Sequence, residues 1–140
     1  MHLPRFVFTA ALLAVTGLVA TVAPTGLEQA MAQAQAQTVS PSARGATLFR
    51  QRCGSCHVAT PNARSSMGPN LAGVVGRRAG TIAGYNFSNG MKQSGLTWTP
   101  QTLDAFLTAP PRTVRGTRMM TSVTNAADRQ AIVAYLQTAR

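Results

Sequence analysis

The chain is predicted to fold as a small all-α domain whose helices are joined by long loops. Three observations lead there. Two C-terminal segments combine helix-start residues with apolar stripes at i, i+3, i+4 spacing, residues 58–97 are rich in Gly, Asn and Ser, and strand-like alternation is scarce.

Taken in order, the first element is a targeting segment. His2 and Arg5 give a short basic start, Phe6 to Ala23 is an almost unbroken apolar run, and Pro24 and Gly26 break it. Ala30-Met31-Ala32 then offers small residues at the spacing a signal peptidase reads, with alternative sites after Ala34 and Ala36. Residues 1–32 are therefore expected to be a secretory signal. An uncleaved anchor is the alternative, although eighteen helical residues reach only about 27 Å, against a hydrocarbon core of about 30 Å. Residues 33–41 are low in complexity and read as a flexible lead-in, so the folded domain is expected over 42–140.

Ser42 can cap a helix from about Ala43 to Arg52, with Leu48 and Phe49 on its inner face. Residues 58–97 hold seven glycines from Gly68 to Gly95 and read as loop, with one or two helical turns around Leu71–Val75. So long a loop normally argues against an assignment, unless it has something to wrap. Thr99 caps the next helix, Pro100 opens it, Leu103, Phe106 and Leu107 form its stripe, and Pro110-Pro111 stops it. The last helix starts at Asn125, with Asp128 in nearly a capping-box position and Ile132, Tyr135 and Leu136 on one side.

The chemistry is concentrated in Cys53-Gly54-Ser55-Cys56-His57, a C-x-x-C-H motif containing both cysteines of the chain. Two thiols at this spacing can bond covalently to the two vinyl groups along one edge of a haem, and the adjacent histidine then supplies an axial nitrogen to the iron. A thioredoxin-like dithiol would need a βαβ neighbourhood, which the pattern lacks. A structural zinc site would need four ligands, and the only other histidine, His2, lies in the targeting segment. Thioether attachment of haem takes place after export in bacteria, so targeting and motif agree.

A single axial histidine leaves the iron either open or in need of a second ligand. Without another histidine in the exported part, methionine is the natural donor, and Met67, Met91, Met119 and Met120 are the candidates. A second ligand must come from chain that has crossed to the other haem face. Met119 and Met120, in a Gly-containing loop between the two clearest helices, suit this best.

Charge points to partners. Downstream of residue 32, twelve Lys or Arg face only Asp104 and Asp128, and eleven of the twelve are arginine. This steers the molecule towards acidic docking faces of redox proteins or anionic membrane surfaces. Nucleic acid is disfavoured by export and by the scatter of the basic residues.

From Gly45 to Leu136 the chain resembles the class I cytochromes c. The resemblance rests on Gly45 with Leu48-Phe49, the motif at 53–57, Gly68-Pro69-Asn70-Leu71, Gly73, Gly76-Arg77, Gly84-Tyr85, Trp98, Leu103 and Leu107. It continues through Gly116-Thr117-Arg118-Met119 to Ile132-Val133-Ala134-Tyr135-Leu136. It implies a small cytochrome c fold with crossing terminal helices around one covalently attached haem c. His57 and Met119 would be the iron ligands, with Met120 only a neighbour. Pro69 would offer its carbonyl to the free nitrogen of His57, Gly45 and Phe49 would cross Ile132 and Tyr135, and Tyr85 and Trp98 would donate to a propionate beside Arg77. Four positions depart from the pattern: Arg115 stands where a proline is usual, Phe87 and Phe106 replace hydroxyl-bearing tyrosine-like residues, and Met91 replaces a polar residue.

The function so implied is that of a monomeric periplasmic one-electron carrier, not an enzyme. Its partners would be a quinol–cytochrome c oxidoreductase or periplasmic dehydrogenase as donor, and a terminal oxidase, photosynthetic reaction centre or peroxidase as acceptor. Arg50, Arg52, Arg112, Arg115 and Arg118 are the expected docking residues. The competing classes are a haem enzyme or gas sensor with an open sixth position, and a haem subunit docked permanently in a larger complex.

Overall fold

The computed structural model describes residues 39–140 together with Gly26; the expected signal segment lies outside the described residues. Over residues 39–140 five helices follow one another: α1 (Pro41–Arg52), α2 (Asn89–Gln93), α3 (Pro100–Thr108), α4 (Pro110–Thr113) and α5 (Ala126–Thr138). Among the described residues there is no strand, only an isolated antiparallel bridge between Arg78 and Thr97. No described helix is long and apolar enough to cross a membrane.

α1 begins earlier than expected. Ser40, not Ser42, is its N-cap and accepts from the Ala43 N–H at 3.2 Å, because Pro41 fits the first helical position, where no N–H is needed. α1 packs chiefly on α5. A Cβ at Gly45 would overlap the carbonyl of Ala131, so only glycine permits this approach, and Phe49 meets Tyr135 with ring centroids 5.3 Å apart. Asn125 caps α5 through the Asp128 N–H at 3.0 Å. The Asp128 carboxylate is turned away from the cap and takes Arg44 at 2.6 Å and Arg52 at 3.1 Å, tying both ends of α1 to the start of α5.

α3 is set by a reciprocal capping box between Thr99 and Thr102, with Pro100 in the first turn. Its stripe of Leu103, Phe106 and Leu107 is buried. The expected stop occurs at Thr108, but Pro110-Pro111 then opens the short α4 because proline is tolerated in a first turn. The expected turns of helix around Leu71–Val75 do not form. Gly73 and Gly76 sit at φ +62° and +86°, which breaks the chain into successive tight turns. α2 was not expected from the pattern; Ser88 caps it through the Met91 N–H at 3.2 Å.

The core gathers Phe49, Leu103, Phe106, Leu107, Ile132 and Leu136, with Met91 contributed by α2 and Val74 and Trp98 by the loops. The segments 76–79 and 96–98 run antiparallel through Gly76 N–H to Trp98 O at 2.7 Å, Trp98 N–H to Arg77 O at 2.9 Å and Ala79 N–H to Leu96 O at 2.8 Å. That pairing brings Arg77 and Trp98 together beside the core.

Candidate haem site

A cavity of about 360 Å³ opens beside this core, and all eight predicted site residues line it: Cys53, Cys56, His57, Pro69, Arg77, Tyr85, Trp98 and Met119. The rest of the lining is largely apolar, with Phe49, Leu71, Leu103, Phe106 and Ile132 prominent. A wider recess of about 1030 Å³ lies between residues 61–65 and the end of α5, but no Cys, His or Met lines it.

The motif continues the turn of α1. Cys53 N–H donates to Phe49 O at 2.8 Å, and Cys56 and His57 N–H both donate to Cys53 O, at 3.0 and 2.9 Å. Both thiols are partly exposed and free of one another. Burial pushes the unattached Cys53 thiol above its usual pKa, with the Arg52 charge pulling the other way and Cys56 adding a smaller push upward.

His57 is held by its neighbours. Its Nδ1 lies 2.8 Å from Pro69 O, and since a carbonyl can only accept, Nδ1 carries the proton and Nε2 keeps its lone pair for a metal. Gly68 lies flat against the imidazole, where a Cβ would overlap the ring, and its N–H donates to Cys56 O at 2.8 Å. Behind this segment Asn70 is buried. Its Nδ2 donates to Thr60 O at 2.8 Å and Ala63 O at 2.7 Å, while its Oδ1 accepts from Ala72 N–H at 2.8 Å. Asn70 therefore braces the Pro69 carbonyl, a role that residue type and spacing do not disclose.

Arg77 donates to Ala72 O at 3.0 Å and Asn70 O at 2.9 Å, and burial lowers its pKa from the ordinary value. Its side chain has no carboxylate partner among the described residues. Tyr85 donates its hydroxyl to Met67 O at 2.7 Å and stacks edge-on against Phe87, 4.7 Å between centroids. Trp98 is buried against Phe106 with centroids 5.0 Å apart.

All four candidate methionines line the cavity, but they divide sharply. Met67 and Met120 are each 73% exposed at its rim, Met91 is buried, and Met119 is half-buried against the core. Four arginines and no acid line the cavity: Arg52, already paired with Asp128, then Arg77, Arg78 and Arg118. A deep apolar slot with cationic walls, two free thiols and an imidazole lone pair suits a flat apolar ligand bearing carboxylates and a metal. Such a site on an all-helical shell defines a small haem protein of the c type.

Known proteins agree. Residues 42–140 match the family model described as Cytochrome c. The cytochrome c2 of Rhodomicrobium vannielii is 40% identical over 106 residues, covering 75% of this chain and 84% of that protein. The cytochrome c2 of Agrobacterium tumefaciens is 39% identical over 98 residues, covering 67% and 87%. In three dimensions the chain is similar to cytochrome cH from Methylobacterium extorquens, with a TM-score of 0.64 and 37% identity over 69% of this chain and 97% of that one. The chain belongs to the cytochrome c family, with one covalently attached haem c, and is a single-haem electron carrier.

Proposed function

We propose that this protein works in the periplasm as a diffusible carrier of single electrons, with its haem iron held between His57 Nε2 and Met119 Sδ. When bound, the haem supplies the one-electron couple; the chain supplies attachment, orientation and a dry setting. Cys53 and Cys56 form the two thioether links. Pro69 fixes the His57 tautomer, and the buried lining keeps water from the iron. The observation that best supports this reading is that one cavity receives the cysteines, the histidine and a half-buried methionine from a distant loop.

Arg77 supplies the counter-charge for a propionate, since its half-buried guanidinium binds only backbone carbonyls in the structure. Trp98 and Tyr85 are assigned to the same end of the haem. For Tyr85 that role requires its hydroxyl to exchange, or share, the Met67 carbonyl it now holds.

The basic surface serves encounter with acidic faces of redox partners, among which quinol–cytochrome c oxidoreductase, a terminal oxidase and a photosynthetic reaction centre fit the charge. Both acids of the described domain are already engaged, Asp128 by Arg44 and Arg52 and Asp104 by Arg129. Of the arginines expected to dock, Arg52 is tied to Asp128 and Arg118 to the Asn86 carbonyl, so Arg50, Arg112 and Arg115 are the freer ones. Reduction by an acidic redox protein, followed by stopped flow, is expected to be second order and to slow about tenfold or more from low to physiological salt. Arg112→Ala with Arg115→Ala is expected to slow it several-fold at low salt only. Salt-independent first-order kinetics would instead indicate a permanently docked subunit.

The apolar N-terminal segment directs export and is then removed. The mature protein is expected to begin at Gln33, Gln35 or Gln37, as read by N-terminal sequencing. A mature protein starting at Met1 would mean that the apolar segment is retained as an anchor.

A further inference from the structure

α2 is only five residues long, yet other segments of the chain grip it on two sides. On one side a Cβ at Gly90 would overlap the carbonyl oxygen of Arg115, with the carbonyl carbons of Arg115 and Gly116 at 3.0 and 3.1 Å. On the other, a Cβ at Gly80 would stand 2.8 Å from the Cα of Lys92. Between these contacts Met91 is buried and lines the cavity.

The loop that Gly90 touches is the one that leads to Met119. Gly116 is left-handed at φ +77°, Thr117 N–H closes onto Val114 O at 3.1 Å, and Met119 N–H donates to Thr117 Oγ1 at 3.2 Å. A second tie joins the same two segments: the Arg118 guanidinium donates to the carbonyl of Asn86, two residues before the Ser88 cap of α2. Position 115 is an arginine, so no proline ring fixes the backbone there. The order of this loop must then come from contacts with other segments, because fixing each backbone residue costs conformational entropy.

We propose that α2 is a latch on the Met119 loop, in which Gly90 and Arg118 are positioning residues that hold the methionine at the cavity. The inference rests on the reading of Met119 as the second iron ligand. A Cβ at Gly90 meets backbone, which cannot swing aside, and opening the loop would relieve the overlap. The cost of Gly90→Ala therefore falls on the closed state, and the fraction of open molecules rises. A small external ligand that takes the sixth position binds in proportion to that fraction.

The test uses ferric holoprotein titrated with imidazole and followed by its absorption spectrum. Gly90→Ala is expected to raise the apparent imidazole affinity at least about tenfold, and Arg118→Ala several-fold. Gly45→Ala, which forces the α1–α5 contact instead, is expected to lower the denaturation midpoint but to leave imidazole affinity within about twofold of wild type. The latch is overturned if folded Gly90→Ala and Arg118→Ala proteins bind imidazole as the wild type does. It is equally overturned if Gly45→Ala raises the affinity as much as they do. Should Gly90→Ala fail to fold, Arg118→Ala, which adds no bulk, decides alone. Met119→Ala run alongside separates the two claims: if it keeps the spectral signature of bound sulfur, the ligand assignment fails. If it loses that signature while the latch variants stay unchanged, only the latch fails.

Discussion

Met119→Ala is expected to abolish the long-wavelength absorption of sulfur bound to ferric iron and to let the ferrous protein bind carbon monoxide rapidly. The reason lies in the sorting of the methionines. Met67 and Met120 are exposed at the rim, and Met91 is buried in the core as part of α2, whereas Met119 is half-buried and placed by the hydrogen bond from its own N–H to Thr117. An exposed thioether would give up its water-facing freedom and bring no dry surroundings to the iron. Alanine at 119 leaves no donor at that point, so the sixth position passes to water or to an added ligand, and the protein changes from a carrier with two fixed ligands to an open haem protein. Met120→Ala is expected to leave both signatures unchanged. If the two variants exchange behaviours, Met120 is the ligand.

Loss of the haem is expected to have the larger effect on folding. A protein with both Cys53 and Cys56 replaced by Ala, or one made where haem cannot be attached, must either keep the cavity or collapse it. At roughly 24 cal/mol per Å³, an unfilled apolar space of about 360 Å³ costs about 9 kcal/mol. That is an upper bound, since the mouth is open to water, but it rivals the whole stability of about 5–15 kcal/mol of an ordinary domain. The residues that would be stranded include Phe49, Leu103, Phe106 and Ile132, from three helices at once. Far-ultraviolet circular dichroism and thermal melting of the haem-free protein are expected to show depleted helix and no cooperative transition. A native-like spectrum with a sharp melt would show that the polypeptide core is sufficient.

How much of this was legible in the sequence depends on how local the cause was. α3 and α5 could be read from Thr99, Pro100 and Asn125, because a cap and an apolar stripe act within a few residues of one another. The start of α1 was displaced by two residues because Pro41 lies between two serines and only one of them precedes it. Leu71, Val74 and Val75 have helical spacing, but left-handed glycines at 73 and 76 intervene, and the apolar side chains serve the core and cavity instead. α2 depends on contacts with Gly80 and with the 115–116 backbone, so nothing in its five residues announces it.

The candidate site could be assembled from the sequence because covalent haem chemistry demands a fixed local motif and the resemblance supplied residues from distant segments. All eight residues so named border one cavity. What stayed hidden is the support around them: the Asn70 knot behind Pro69, the Met67 carbonyl that occupies Tyr85, and the tie from Arg118 to Asn86. Each joins separate turns of the chain through a backbone carbonyl, which every residue has and which no motif records.

The most direct test is the absorption spectrum of oxidised wild-type holoprotein at neutral pH. A low-spin spectrum with the weak long-wavelength band of iron-bound sulfur is the expected result. A high-spin spectrum, or a low-spin one in which that band is absent, would contradict an iron held between His57 and Met119.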